Sequence, residues 1–142
     1  MIPDLPAGID QIKGFLADDE AQALYQHALA VSASGPVLEI GSYCGKSTIY
    51  LGLACQRNGS TVFALDHHRG SEEHQLGEFF HDPQLYDASE GIMDSFREFR
   101  RNIHAAGLDD VVVPIVAGSE TAARHWQTPL AMVFIDGGHS LE

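Results

Sequence analysis

The segment Val37–Ser47, VLEIGSYCGKS, constrains this chain more than any other stretch. It opens as a short apolar run that reads as a buried strand, and it breaks at Gly41. A second glycine, Gly45, precedes Lys46–Cys55, whose composition is helical until Asn58-Gly59 ends it. A strand that passes through a glycine turn straight into a helix is the opening unit of a parallel α/β sheet. Glycine just after a strand lets the backbone turn sharply and approach a ligand with no Cβ in the way. The plainer reading is a turn that only joins strand to helix.

The remaining elements continue that pattern. Asp18 and Asp19 precede apolar residues at Ala21, Leu24, Ala28 and Val31, which is helical spacing, and Gly35-Pro36 stops the run. Thr61–Asp66 reads as a second buried strand, and residues 67–88 as an insertion loop. From Ser89 onward Ile92, Phe96, Phe99, Ile103 and Ala106 share one helical face, which Gly107 ends. Val111–Val116 is a third strand, Ser119–Trp126 a short helix and Ala131–Asp136 a fourth strand. Strands alternating with helices predict a doubly wound α/β fold, a parallel sheet with right-handed crossovers. Residues 1–35 form its lead-in helix and residues 36–142 the sheet domain. Only four strands are visible before the chain stops at Ser140-Leu141-Glu142, so the sheet is expected to be truncated after the fourth. Exposed edges then predict self-association into a homo-oligomer.

Sheets of this kind bind ligands at the carboxyl ends of their strands. The unusual polar residues fall there: Glu39 and Gly41, Asp66 to His68, Gly118 to Glu120, and Asp136 to His139. Charge narrows the ligand. A net charge of −12 with two lysines, Lys13 and Lys46, repels a phosphate backbone and argues against nucleic acid. No run approaches the roughly 18 apolar residues of a membrane span, and the N-terminus lacks the plan of a signal peptide, so a cytoplasmic protein is expected. The two cysteines, Cys44 and Cys55, are too few for a disulfide framework and read as reduced thiols.

Two nucleotide motifs compete for the glycine turn. The dinucleotide fingerprint G-x-G-x-x-G fails because Tyr43 occupies its second glycine position. The P-loop is the nearer rival, since Gly41-x-x-x-Gly45-Lys46-Ser47 resembles G-x-x-x-x-G-K-[ST] and MVFID offers a strand-end aspartate. The turn is one residue short for that motif, and Glu39 is a poor neighbour for a polyanion. A carboxylate suits a cationic ligand instead. Asp66, at the end of the second strand, can accept both hydroxyls of an unmodified ribose, although a strand-end aspartate also caps turns.

These residues carry a family resemblance. LEIGSYCGKSTIYLGLA is similar to motif I of class I, Rossmann-like S-adenosylmethionine-dependent methyltransferases, above all the catechol and caffeoyl-CoA O-methyltransferase group. DHHRGSEEHQ and the FIDGGHS ending resemble small bacterial methyltransferases of the "methyltransferase domain 24" type. The resemblance runs from about Gly35 to the C-terminus. It implies that Glu39 and the turn Gly41, Ser42, Tyr43, Gly45 and Ser47 hold the methionine part of the cofactor. It implies ribose binding by Asp66 with His67 beside it, and an adenine edge at Gly118, Ser119 and Glu120. A plain N-cap is the competing reading of Ser119.

In the catechol-like enzymes the aspartate at the position of Asp136 ligates a divalent cation near the transferred methyl. The resemblance therefore implies a metal at Asp136, with magnesium, manganese or calcium favoured by oxygen ligands. His139, past a Gly-Gly pair, reads as a general base, a metal ligand or a surface residue. The catechol-like group has other residues there. His67, His68, His74 and His81, interleaved with Glu72, Glu73, Asp82 and Asp87, suggest a second metal site or a substrate lid; a solvated loop is the simpler account. The expected function is methyl transfer from S-adenosylmethionine to an oxygen of a small molecule, with Asp136 and His139 catalytic. A P-loop-like nucleotide hydrolase and a non-catalytic S-adenosylmethionine-binding fragment are the rivals.

Overall fold

A computed structural model describes residues 2–70, 85–87 and 92–136. The strand–turn–helix unit forms where the glycines place it, with β1 at Val37–Ile40 and α2 at Lys46–Arg57. Ahead of it, α1 spans Asp18–Val31. Its first turn holds Asp18, Asp19 and Glu20, whose negative charges suit the positive end of the helix dipole. Glu20 also accepts the Ala17 N–H at 3.2 Å, and Ala21, Leu24, Tyr25 and Ala28 turn inward. The helix closes through a 3-10 turn at Ser32–Ser34 before β1 begins.

After β2 (Val62–Leu65), a short antiparallel pair, β3 (Tyr86–Asp87) and β4 (Ile92–Met93), leads into α3 at Phe96–Ala105. Ile92 therefore lies in a strand, not in the helix that its spacing suggested. The helix starts later because the Asp94 carboxylate accepts the Phe96 N–H at 3.0 Å, fixing the turn ahead of Phe96. Then come β5 (Val112–Ile115), α4 (Ser119–Ala123) and β6 (Met132–Ile135).

The four longer strands form one parallel sheet in the order β5-β2-β1-β6. Pro114, which has no N–H to give a ladder, sits on an edge strand paired only with β2. The register sorts side chains into two faces, because successive residues of a strand point to opposite sides. Val37, Val62, Val112 and Met132 form one row on the first face, and Glu39, Ala64, Pro114 and Phe134 the next. Apolar members of these rows share a single core with residues from α1, α2 and α3. The opposite face carries Val113, Val133 and Ile135, which are 44%, 49% and 71% exposed. Trp126, on the connection from β5 to β6, meets Phe63 of that face edge-on, 5.3 Å between ring centres. The chain thus crosses the sheet on the side that the first three helices leave open.

Phe99 joins these helices to the glycine turn. It is 1% exposed, stacks on Phe96 at 6.3 Å, and a Cβ added at Gly45 would come within 3.2 Å of its ring. Phe99→Ala is expected to cost about 3–5 kcal/mol of stability, read by urea denaturation. A loss below about 1 kcal/mol would mean that the helix settles into the vacated space.

Candidate functional site

Three features meet at the carboxyl ends of β1 and β2: the turn from Gly41 to Gly45, the carboxylate of Asp66 and the carboxyl of Glu39. The turn is shaped by left-handed backbone at Gly41 (φ 96°), Tyr43 (φ 49°) and Gly45 (φ 94°). At Gly45 a side chain would be strained by φ and would press on Phe99 and Ile103, so glycine is required there on two counts. Asn102, from α3, donates its amide N–H to the Cys44 carbonyl at 2.8 Å and holds the turn from below. Ser42 is buried in this turn, and among the described residues its Oγ has no hydrogen-bond partner. An unpaired buried hydroxyl at a bare backbone turn is a group waiting for a polar ligand atom or water.

Asp66 ties this turn to its neighbour. One carboxylate oxygen accepts the Tyr43 N–H at 2.8 Å and the other accepts the His68 N–H at 2.8 Å. Tyr43 and His68 (φ 63°) are both left-handed residues that are not glycine. Two amides leave each oxygen a further lone pair. The Asp66 carbonyl accepts the Ala117 N–H at 3.3 Å, which brings the exit of β5 alongside. Gly118, the N-cap of α4, and the exposed Ser119 and Glu120 follow on that side. The N-cap position is held by Gly118, so Ser119 is the first helical residue rather than the cap. On the other side the Asp136 N–H donates to the Ile40 carbonyl at 2.8 Å, placing Asp136 beside the end of β1. His139 lies outside the described residues, as do His74, His81, Glu72, Glu73 and Asp82.

Glu39 points away from solvent. Its place in the helix-side row aims the carboxyl at the first turn of α2, where the hydroxyls of Ser47 and Thr48 each donate to one of its oxygens. It is fully buried. Burial pushes its carboxyl up to about 7, the negative charges of Asp136 and Asp66 add to the rise, and the two hydroxyl bonds oppose it. The same contacts weigh against a P-loop, because the Ser47 hydroxyl that would serve a metal–triphosphate is committed to Glu39. The Tyr43 amide is likewise given to Asp66.

The two adjacent histidines part company. His67 is exposed, and its ring nitrogen accepts the Arg69 N–H at 2.9 Å. His68 is 1% exposed, with Nδ1 paired to Ser95 Oγ at 2.8 Å and the ring tilted against both Phe96 and Phe99, whose centres lie 5.2 and 5.3 Å away. The Ser95 N–H donates back to the His68 carbonyl at 2.9 Å. Burial lowers the His68 imidazole pKa against the pull of Asp66 and Asp94, while His67 lowers it further. Among the described residues its Nε2 has no hydrogen-bond partner. A neutral ring that donates from Nδ1 to Ser95 leaves no buried N–H unpaired. The sequence places both histidines at the strand end and singles out His67 beside the ribose position; nothing in an H-H doublet tells which ring turns inward. Among the described residues, no group of three or more His, Cys, Asp or Glu is placed to hold a metal ion. No described helix is long and apolar enough to cross a membrane.

A family model described as a methyltransferase domain matches residues 38–142. Solved structures share the fold. Cofactor-bound Rv0187 from MTB is 22% identical with a TM-score of 0.61, the alignment covering 92% of this chain and 50% of that one. An O-methyltransferase from Bacillus cereus in complex with SAH is 21% identical, TM-score 0.56, covering 94% and 48%. TomG, an O-methyltransferase from Streptomyces achromogenes involved in tomaymycin synthesis, in complex with SAM, is 18% identical, TM-score 0.57, covering 87% and 45%. This chain spans about half the length of these structures. At such identities the likeness establishes a Rossmann-like methyltransferase fold.

The buried Glu39 gives the site a pH signature. The folded chain holds this proton more tightly than an unfolded chain, whose value is 4.5. Its contribution to stability is therefore complete below 4.5 and is lost as pH rises through about 7. Between pH 4 and pH 8, wild type is expected to lose about 3 kcal/mol relative to Glu39→Gln in urea denaturation. Parallel pH profiles for the two proteins would contradict this account of Glu39.

Proposed function

This chain belongs to the methyltransferase-domain family, and from that premise we propose that it binds S-adenosylmethionine at the ends of β1 and β2 and directs its methyl group to an oxygen of a small molecule. The observation that carries the reading is the bare, left-handed turn from Gly41 to Gly45 locked against the half-used carboxylate of Asp66. The residues present fit this cofactor. The lone pairs that Asp66 keeps can accept two neighbouring hydroxyls of a ribose. The unpaired Ser42 Oγ supplies a polar contact inside the turn.

Bound S-adenosylmethionine supplies a methyl group on a positively charged sulfur, so the protein's work is to orient a nucleophile in line and take its proton. Glu39 supports that work from beneath. By engaging Ser47 and Thr48 it fixes the first turn of α2, and its carboxyl, poised near neutrality, can ionise when a cation arrives above it. The Gly118–Glu120 segment, reached across Asp66 from the turn, is the side for adenine. Asp136, on the far side of β1, is the side for the acceptor oxygen. There Asp136 or His139 would remove the acceptor's proton. A divalent cation at Asp136 would have to draw further ligands from outside the described residues. The O-methyltransferase neighbours from Bacillus cereus and Streptomyces achromogenes support oxygen as the acceptor atom.

Calorimetry with S-adenosylhomocysteine and, separately, ATP with magnesium tests the reading. S-adenosylhomocysteine is expected to bind, and Asp66→Ala to weaken it by about tenfold or more, the range for hydrogen bonds to a charged group. Binding of ATP–magnesium without S-adenosylhomocysteine would overturn the proposal. Equal affinity of wild type and Asp66→Ala would overturn the ribose assignment alone.

A further inference from the structure

The segment after β2 is fastened to the cofactor turn through a chain of contacts. Tyr43 on the turn, Asp66 at the strand end, His68 two residues on and Ser95 before α3 are joined by consecutive hydrogen bonds. At one end of the chain His68 and Ser95 grip each other twice, once through backbone and once through side chains. At the other end two amides share one carboxylate.

His68 is the weak point of this arrangement on local grounds. A residue other than glycine pays for left-handed backbone, about 1–2 kcal/mol. The ring must therefore be held by something, and its bond to Ser95 and its packing against Phe96 and Phe99 do so. Holding the ring holds the peptide whose N–H meets Asp66 Oδ1. Without that amide the carboxylate keeps only its bond to Tyr43 and is free to rotate about it.

We propose that His68 is a positioning residue for cofactor binding: clasped to Ser95, it presets the orientation of the Asp66 carboxylate, and so strengthens the hold on a ribose that its own side chain does not touch. This inference rests on the S-adenosylmethionine reading above. It gives the inward histidine of the H-H doublet a task and explains why the ring is bonded to Ser95 and packed against Phe96 and Phe99. It also makes Ser95, more than 25 residues from Asp66 along the chain, a determinant of affinity.

A double-mutant cycle read by S-adenosylhomocysteine calorimetry separates this role from simple packing. His68→Phe keeps a ring beside Phe96 and Phe99 but cannot pair with Ser95, and Ser95→Ala removes the same bond while leaving the left-handed residue intact. Each is expected to weaken binding about fivefold to tenfold in the wild-type background, as for residues coupled in one network. In the Asp66→Ala background neither should weaken it by more than about twofold. His68→Asn, which tolerates left-handed backbone and keeps a polar atom near the Nδ1 position, is expected to recover most of the affinity even if it lowers the melting temperature. Unchanged affinity in His68→Phe and Ser95→Ala, or full losses that persist without Asp66, would overturn the clasp while leaving the cofactor reading intact. Failure of the wild-type chain to bind S-adenosylhomocysteine would overturn the cofactor reading and the clasp with it.

Discussion

The site hangs on one carboxylate. Asp66 receives an amide on each oxygen, and both amides come from residues bent into left-handed backbone, Tyr43 in the glycine turn and His68 after β2. Each such residue costs about 1–2 kcal/mol, and a hydrogen bond to a charged acceptor returns about 1.5–3 kcal/mol. The two terms are of one size, so the turn geometry and the carboxylate are mutually dependent. A single side chain at a strand end thereby sets the shape of two loops and keeps further lone pairs. Under the proposed S-adenosylmethionine reading, placing this group at the junction of adjacent parallel strands makes structure and recognition the same set of bonds.

Glu39 shows the complementary case, a carboxyl made part of the fold. Strand alternation puts it in the same face as Val37, toward α2, and the packing there leaves it no water. Two hydroxyls satisfy its oxygens, which lowers the cost of burial but does not cancel it, so the proton stays to about neutral pH. The nearest charges are the acids Asp136 and Asp66, which oppose ionisation. A cationic ligand at the strand ends would reverse that balance. Burial and like charge together thus give the carboxyl a preference for a positive partner, the feature that separates this turn from a phosphate cradle.

What the sequence made legible follows from periodicity and glycine. The four strands, the helices and the strand-end cluster could be placed because apolar runs and turn residues report local backbone directly. Asp66 could be singled out because it closes an apolar strand. The direction of Glu39 could not be read, since it depends on which face α2 covers, and that is a property of the crossover. Nor could the choice between His67 and His68, which the pocket made by Phe96, Phe99 and Ser95 decides from nearly thirty residues away. Ile92 was drawn into the helical pattern because spacing counts apolar residues, whereas Asp94, whose carboxylate accepts the Phe96 N–H at the start of α3, is a polar signal that periodicity ignores.

The placement of these contacts also explains why the candidate site is built on one side of the sheet. Tyr43, Asp66, His68 and Ser95 belong to loops between β1, α2, β2 and α3, and those elements share one core. Phe99 is in that core, under Gly45 and beside the His68 ring, so it links the core's packing to both the glycine turn and the residue after β2. Among the described residues the opposite face, with Val113, Val133 and Ile135 exposed, contributes no bond to this network. A change on that face would alter association or overall stability before it altered the geometry of Asp66. Changes in α3, although it holds none of the residues assigned to the ligand, should alter that geometry first, because the ring that fixes His68 and the packing that supports the glycine turn both stand on it.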